Sequence, residues 1–547
     1  MNFIYYDLIF LILFAAGCLI FLYKKRKNLK KEGVMYLYRT NIGIKFIDYI
    51  GGKYKKTLTV IKYLAIIIGY LLMLLMVFFL VQTAYIYFKM PSIVQTVKVP
   101  PIAPLIPYFP EIYGVESLFP SFPFIAFFIS ILIIMTVHEF SHGILARYSK
   151  VRIKSTGFGA IWLISDFFNG LNKRISKKFK LEKSRAFSIS LILIVIALVI
   201  LGILAIDSAM IKTILIFLLI PFLGAFVEQD DKDMVKRPIR NQLGILAGGV
   251  FANIVTGIIF LFIMYAFVSL AFVQNGAIFT DYVRSGVNLS EINSIENYSV
   301  IGMSSSQIIG LINEKNIQGS LDYSGDNVPL ILISTSEGNY FLQRASLIEQ
   351  LEEDLGYIAP YNDLPAIRAG LVGAIIEING NKIKNQEDLT KALEGTTPGQ
   401  EIEVKTKVSD NDIKSYSIKL GKSPLNESKG MLGIASKSQS KNILVRGVTE
   451  IMRVIEDPGV NYEPRIDPGL ASLIRNLLWW IVVLNFLVAV SNMIPAGIFD
   501  GGRFFMLTIW GITRNQKIAE KSYKVANIVI LALVLIIVLF YTIAFFR

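Results

Sequence analysis

"FPFIAFFISILIIMTVHEFSHGILAR", residues 122–147, is an apolar run that carries near its end both histidines of a 547-residue chain. A bilayer core about 30 Å thick takes roughly 20 apolar residues to cross as a helix, so the run is long enough to span. His138 and His142 are four residues apart, which puts their imidazoles on one face of a helix. Ionisable side chains are expensive inside a membrane and are retained there for function. An H-E-x-x-H sequence on a helix supplies two nitrogens to one Zn²⁺, with the glutamate, here Glu139, facing the open coordination position.

Outward from this run, the whole chain is too apolar for a soluble domain, with 54% hydrophobic residues and a mean hydropathy of +0.55. It is expected to be a polytopic α-helical membrane protein of about eight transmembrane helices, with an inserted extracytoplasmic α+β PDZ-like region. The expected spans are 3–23, 59–88, 122–147, 186–206, 209–227, 243–273, 470–497 and 524–546. No basic stretch precedes the first, and "KKRKNLKK" follows it, a pattern that suits a span rather than a signal peptide.

The net charge of +14 is partitioned along the chain. Residues 24–58 and 147–185 each carry 11 Lys/Arg against 2 Asp/Glu, whereas residues 275–468 carry 18 against 26. The positive-inside rule therefore predicts that the two basic loops face the cytoplasm and the lipid headgroups, while the acidic block lies outside. Such partitioning also argues against nucleic acid as a partner. The lone Cys18 excludes an intrachain disulfide and a cysteine metal cluster.

Between the second and third spans, residues 91–124 hold eight prolines and are predicted to run extended. In the acidic block, "PAIRAGLVGAIIEINGNKIKNQEDLTKALEGTTPGQEIEVKTKV" (365–408) predicts helix, strand, Asn-Gly turn, strand, helix, Pro-Gly turn and strand. That order is similar to a PDZ domain, with "GMLGIA" (430–435) as a late strand. A fainter copy lies upstream when Glu291-Ile292-Asn293 is set on Glu377-Ile378-Asn379, 86 residues apart. The expected segments are 1–120 (N-terminal helices and their loops), 121–274 (first half of the membrane core), 275–350 (a first PDZ-like domain), 351–440 (a PDZ domain), 441–468 (linker) and 469–547 (second half of the core).

Catalytic zinc takes three protein ligands and a water. With no third histidine, the remaining ligand must be a carboxylate, and Asp7, Asp207, Glu228, Asp230 and Asp500 lie in or beside the apolar spans. Asp7 and Asp207 are expected at the outer ends of their spans, away from the histidines. Asp500, Glu228 and Asp230 share the inner depth, and depth does not choose among them.

The chain resembles the site-2 proteases, intramembrane zinc metalloproteases. That family pairs H-E-x-x-H in one span with N-x-x-P-x-x-x-x-D-G in a later one, here His138, Glu139 and His142 with Asn492, Pro495, Asp500 and Gly501. A third family element, G-P-x-x-N, is present as "GVFAN" (249–253), with Val250 in the proline position. "GFGAI" (157–161) and "PFLGAFVEQDD" (221–231) are similar to the segment between the metal spans.

The resemblance implies that Asp500 is the third zinc ligand and that Glu139 takes the proton of the attacking water and passes it to the leaving amine. It also implies that the substrates are transmembrane proteins cut near the cytoplasmic face, with the PDZ region gripping or filtering them. Asn253, Asn492 and Arg503 are the candidate substrate or oxyanion contacts. Two alternatives stand beside this reading. A membrane zinc protease of the CAAX-processing kind would take a glutamate as third ligand, and a PDZ receptor or scaffold would need no catalytic base.

Overall fold

The apolar runs fold as helices because a chain in hydrocarbon must satisfy its backbone hydrogen bonds within itself. The computed structural model describes residues 3–25, 28–32, 35–89, 107–108, 119–161, 222–279, 281–321, 329–353, 355–409, 412–423, 426–435, 461–497 and 499–545. Among them are α1 (Phe3–Lys25), α2 (Ile44–Lys53), α3 (Lys55–Lys89), α4 (Phe124–Tyr148), α5 (Asp231–Val235), α6 (Ile239–Ala271), α7 (Pro468–Asn492), α8 (Asp500–Thr513) and α9 (Gln516–Phe545). Five of these, α3, α4, α6, α7 and α9, are long and apolar enough to cross a membrane, and α1 adds 23 residues of similar character.

Two expectations about spans change. The expected span 186–206 and most of 209–227 lie outside the described residues, but the end of the latter, Phe222–Gln229, is a strand rather than a helix. The expected span 470–497 stops at Asn492, because Pro495 has no N–H to continue the helix and Gly497 turns left-handed at φ +66°. Most of the proline-rich stretch is likewise outside the described residues.

The chain divides into a membrane unit, residues 1–264 with 472–547, and an inserted unit, residues 265–471. In the membrane unit α4 is held at both ends. At its start, Asp7 of α1 accepts from the Phe124 and Ile125 amides at 2.7 and 2.9 Å and from the Tyr108 hydroxyl at 2.6 Å, which satisfies helix N–H groups left without partners. Beside it, Trp480 of α7 stacks on Phe122 at 3.9 Å and donates to the Ser121 carbonyl. At the far end Arg147 pairs with Asp48 of α2 at 2.8 Å. The apolar core between these ends joins Leu145 and Ala146 of α4, Leu246, Ala247 and Val250 of α6, Ala489 of α7 and Phe504 of α8. Because lipid is as apolar as these side chains, van der Waals packing between the helices, rather than escape from water, holds them in register.

The two basic loops, which charge alone marks only as cytoplasmic, contribute structure. Strands β1 (Leu29–Glu32), β2 (Met35–Thr40), β3 (Ile153–Ile161) and β4 (Phe222–Gln229) form one antiparallel sheet in that order. Gly157 of β3 faces Phe226 of β4, so the two stretches singled out between the metal spans pair with each other. Among the described residues, β4 is one of the sheet's two edge strands.

Among its described residues the inserted unit has two apolar cores. One gathers Ile292, Ile295, Ile308, Ile333, Leu342 and Leu347, the other Ile375, Ile378, Leu389, Ile402, Val404 and Ile418. In the second, helix 365–368, strand 374–378, the Asn379-Gly380 turn, strand 381–382, helix 386–394 and strand 401–409 follow in the predicted order. The first repeats the hairpin, helix and strand: 292–295 with 298–299, helix 305–314, then 330–335. Its hairpin register differs from the expectation. Ile295 faces Tyr298 as Ile378 faces Asn381, and Glu296 and Asn379 share φ +48°, an offset of 83 residues rather than 86. The matching Glu-Ile-Asn letters misled, because a turn is placed by which residue adopts positive φ. The late strand also breaks in two, 430–431 and 434–435, at Gly433 with φ +92°. The cores exchange segments: Ala277 and Tyr282 pack in the second core, Ile358 in the first.

Candidate metal centre

His138 and His142 project from the last turns of α4 against α6, where they are only 8% and 7% exposed. Their Nε2 atoms stand 3.0 Å apart, and Asp500 Oδ2 lies 3.2 Å from one and 3.3 Å from the other. Ligand atoms about 2 Å from a tetrahedral ion stand about 3.3 Å from one another, so the three atoms have the spacing of one face of such a site. They form the one His/Cys/Asp/Glu group with metal-ligand spacing among the described residues.

The surroundings set the imidazoles for this task. His142 Nδ1–H donates to the Ile245 carbonyl at 2.7 Å, which leaves the Nε2 lone pair for a metal. Asn253 presents its amide to His138 Nδ1 at 3.1 Å, nitrogen to nitrogen, while its Oδ1 is buried without a partner. The two ends of an amide have nearly the same shape. Exchanging them lets Oδ1 accept from His138 Nδ1–H, and the second Nε2 lone pair is then also free. Asn253 is fully buried, and its amide meets the His138 ring rather than lining the cleft.

Gly249, one turn before Asn253 on α6, explains how the helix backbone comes so near. A Cβ at this position would sit 2.5 Å from His142 Nε2 and 2.6–2.7 Å from His138 Cε1 and Nε2. Any side chain there would enter the space between the ligand nitrogens. Val250 in the proline position does not disturb α6, which runs unbroken through it.

Asp500 opens α8, where a carboxylate is favoured by the helix dipole. The other carboxylates are engaged elsewhere. Glu228 accepts from Ser155 Oγ at 2.7 Å and from Arg39 Nε at 2.9 Å, and these two bonds, Ser155 first, hold its carboxyl below the usual carboxylate range. Asp230 caps α5 through the Lys232 and Asp233 amides and lies 3.4 Å from Lys154. Asp7 is at the opposite end of α4 from the histidines, and Asp207 is outside the described residues.

A cleft of about 580 Å³ opens beside the ligands, lined by Glu139, Val227, Asn492, Phe499, Asp500 and Arg503 among others. Glu139 Oε2 accepts the Val227 amide of β4 at 3.0 Å. This contact was invisible in the sequence, since nothing in "PFLGAFVEQDD" marks an edge strand beside a glutamate 88 residues earlier. Asn492 and Arg503 do reach the cleft, and Arg503 Nη2 also lies 3.9 Å from Asp231 Oδ1.

The profile described as peptidase family M50 matches residues 198–537, well over half of the chain. The match starts after the histidines and takes in the Gly249–Asn253 and Asn492–Gly501 segments. No curated protein matches the chain.

Proposed function

The chain belongs to peptidase family M50, the site-2 protease family of membrane-embedded zinc metalloproteases, and from that premise we propose that it hydrolyses peptide bonds within transmembrane segments of other membrane proteins. His138, His142 and Asp500 hold zinc, and Glu139 is the general base. The observation that carries this reading is the convergence of two imidazole Nε2 atoms and one carboxylate oxygen beside a glutamate on the wall of a single cleft.

Bound there, zinc supplies Lewis-acid activation of water and of the scissile carbonyl. The protein's own groups do the rest. Glu139 accepts the proton of the attacking water and returns it to the leaving amine. The Val227 amide orients the Glu139 carboxylate for this, and Asn492 and Arg503 are placed to donate to the developing oxyanion.

A helical substrate hides its peptide bonds, so it must unwind before it is cut. β4 offers a rail for the unwound stretch. Because the Val227 N–H points off the sheet toward Glu139, alternation along a strand turns the Ala225 amide and carbonyl off the same edge. An extended substrate segment pairs there as an added strand, with its scissile bond beside Glu139.

Detergent-purified protein should cut a single-span substrate carrying a helix-weakening residue. A zinc chelator should stop the cut, and added zinc should restore it. Cleavage that persists unchanged under the chelator would remove the metalloprotease reading. The CAAX-processing alternative needs a ligating glutamate, yet Glu228 is tied to Ser155 and Arg39. The scaffold alternative leaves Glu139 without a role.

The inserted unit is proposed to lie outside the cell as a PDZ-like grip or filter for substrates, on a chain that spans the cell membrane several times with its active site toward the cytoplasm. Its acidic balance motivates the orientation. In a Cys18→Ser background, a cysteine introduced by Ser409→Cys, an exposed strand end, should react with an impermeant maleimide in intact cells. Labelling only after permeabilisation would invert the topology.

A further inference from the structure

Seven residues join the end of α7 to Asp500, and the last helix of the chain grips this loop at one of them. Asn527 Oδ1 accepts the Gly497 N–H at 2.6 Å, and the Tyr523 hydroxyl donates to the Gly497 carbonyl at 2.6 Å. Tyr523 and Asn527 are four residues apart on α9, so they share one face of the helix. The N–H and C=O of Gly497 belong to the two peptide planes on either side of its Cα. Holding both planes fixes both backbone torsions at Gly497, the residue with φ +66° and the freest hinge in the loop.

From the other side the loop is packed against the start of α8. A Cβ at Gly501 would meet the Met493 carbonyl carbon at 2.4 Å, and one at Gly502 the Ala496 carbonyl carbon at 3.1 Å. Ala496 also packs with Leu80 of α3 and with Ile530 and Ile537 of α9. Residues 493–497 are therefore held between α9 and the first turn of α8, and Asp500 lies three residues beyond the grip.

We propose that Tyr523 and Asn527 are positioning residues for the metal centre: by pinning Gly497 they keep the Asp500 carboxylate within reach of both histidines. Neither residue lines the cleft, so they act through the loop and not on substrate. The inference rests on the reading of Asp500 as a ligand. Tyr523→Phe removes only the hydroxyl, and Asn527→Leu removes the acceptor at similar volume, whereas Asn527→Asp keeps an acceptor.

Zinc affinity is measured on full-length, detergent-purified protein by competition with a fluorescent chelator, beside kcat and KM for a single-span substrate. The Tyr523→Phe/Asn527→Leu double variant should bind zinc roughly 10–100-fold more weakly, the size of effect seen when the support of a metal ligand is lost. Its kcat should fall while KM stays within about twofold, and Asn527→Asp should stay near wild type on both counts. If Asp500→Ala loses zinc while the double variant holds it at wild-type affinity, the positioning role is wrong although the ligand reading stands. If Asp500→Ala keeps its zinc, the ligand reading itself falls. Equal losses in Asn527→Asp and Asn527→Leu would also overturn the proposal, since only the latter lacks the acceptor. Thermal melting of each variant separates these outcomes from a general failure to fold, and the single Tyr523→Phe, which changes one oxygen, carries the test should the double variant unfold.

Discussion

Glu139→Gln is expected to cut nothing detectable while retaining about one zinc per chain. The carboxamide oxygen still accepts the Val227 amide that Glu139 Oε2 accepts now at 3.0 Å, so the wall of the cleft keeps its shape. What disappears is the proton acceptor. General acid–base assistance is worth about 10²–10⁴-fold, and the same carboxylate serves both proton transfers, so the loss should reach the upper end of that range. Zinc content by atomic emission, measured on the same preparation as a cleavage assay, separates the two properties. Zinc-replete protein with activity within tenfold of wild type would take the base role from Glu139.

Asp500→Ala is expected to lose the metal itself. The histidine nitrogens stand 3.0 Å apart and need a third atom to complete a site, and only the Asp500 oxygen lies beside both of them among the described His, Cys, Asp and Glu groups. Two imidazoles alone hold zinc poorly, so occupancy should drop to a small fraction after dialysis, and cleavage should fall with it. Glu228→Ala is the control. It removes a carboxylate already committed to Ser155 and Arg39, and zinc should stay. If Glu228→Ala empties the site and Asp500→Ala does not, the third ligand has been assigned to the wrong residue.

The candidate ligands were legible in the sequence because the chemistry of catalytic zinc restricts residue type and spacing so tightly. Both histidines fall on one helical turn, and the resemblance to a known pairing singles out Asp500, whose oxygen the structure sets beside both of them. Five of the expected spans, those at α3, α4, α6, α7 and α9, were legible as apolar runs longer than the thickness of a bilayer. The run's end at 222–227 was not, since short apolar strands and apolar helices look alike by periodicity, and only the partner strand 153–161 decides. The basic loops hid their strands for a related reason: β2 pairs with β3 across more than a hundred residues, and no local pattern reports such a partner. Asn253 is legible as a polar residue of this region, but its contact with His138 is not. Its residue type fits an oxyanion donor as well as a histidine brace, and its complete burial behind the ring is a property of the packed helices alone.

The ligands are also separated in the order of synthesis. His138 and Asp500 are 362 residues apart in the chain, with the whole inserted unit made between them. At about 5–20 residues per second, a ribosome takes on the order of 20–70 s to go from one to the other. Throughout that interval the nascent chain has the proposed base and two imidazoles but not the proposed third ligand. On the proposed reading, hydrolysis therefore waits until the inserted unit has been made, and neighbouring membrane proteins at the insertion site meet no complete metal centre while the proposed means of selection is still missing.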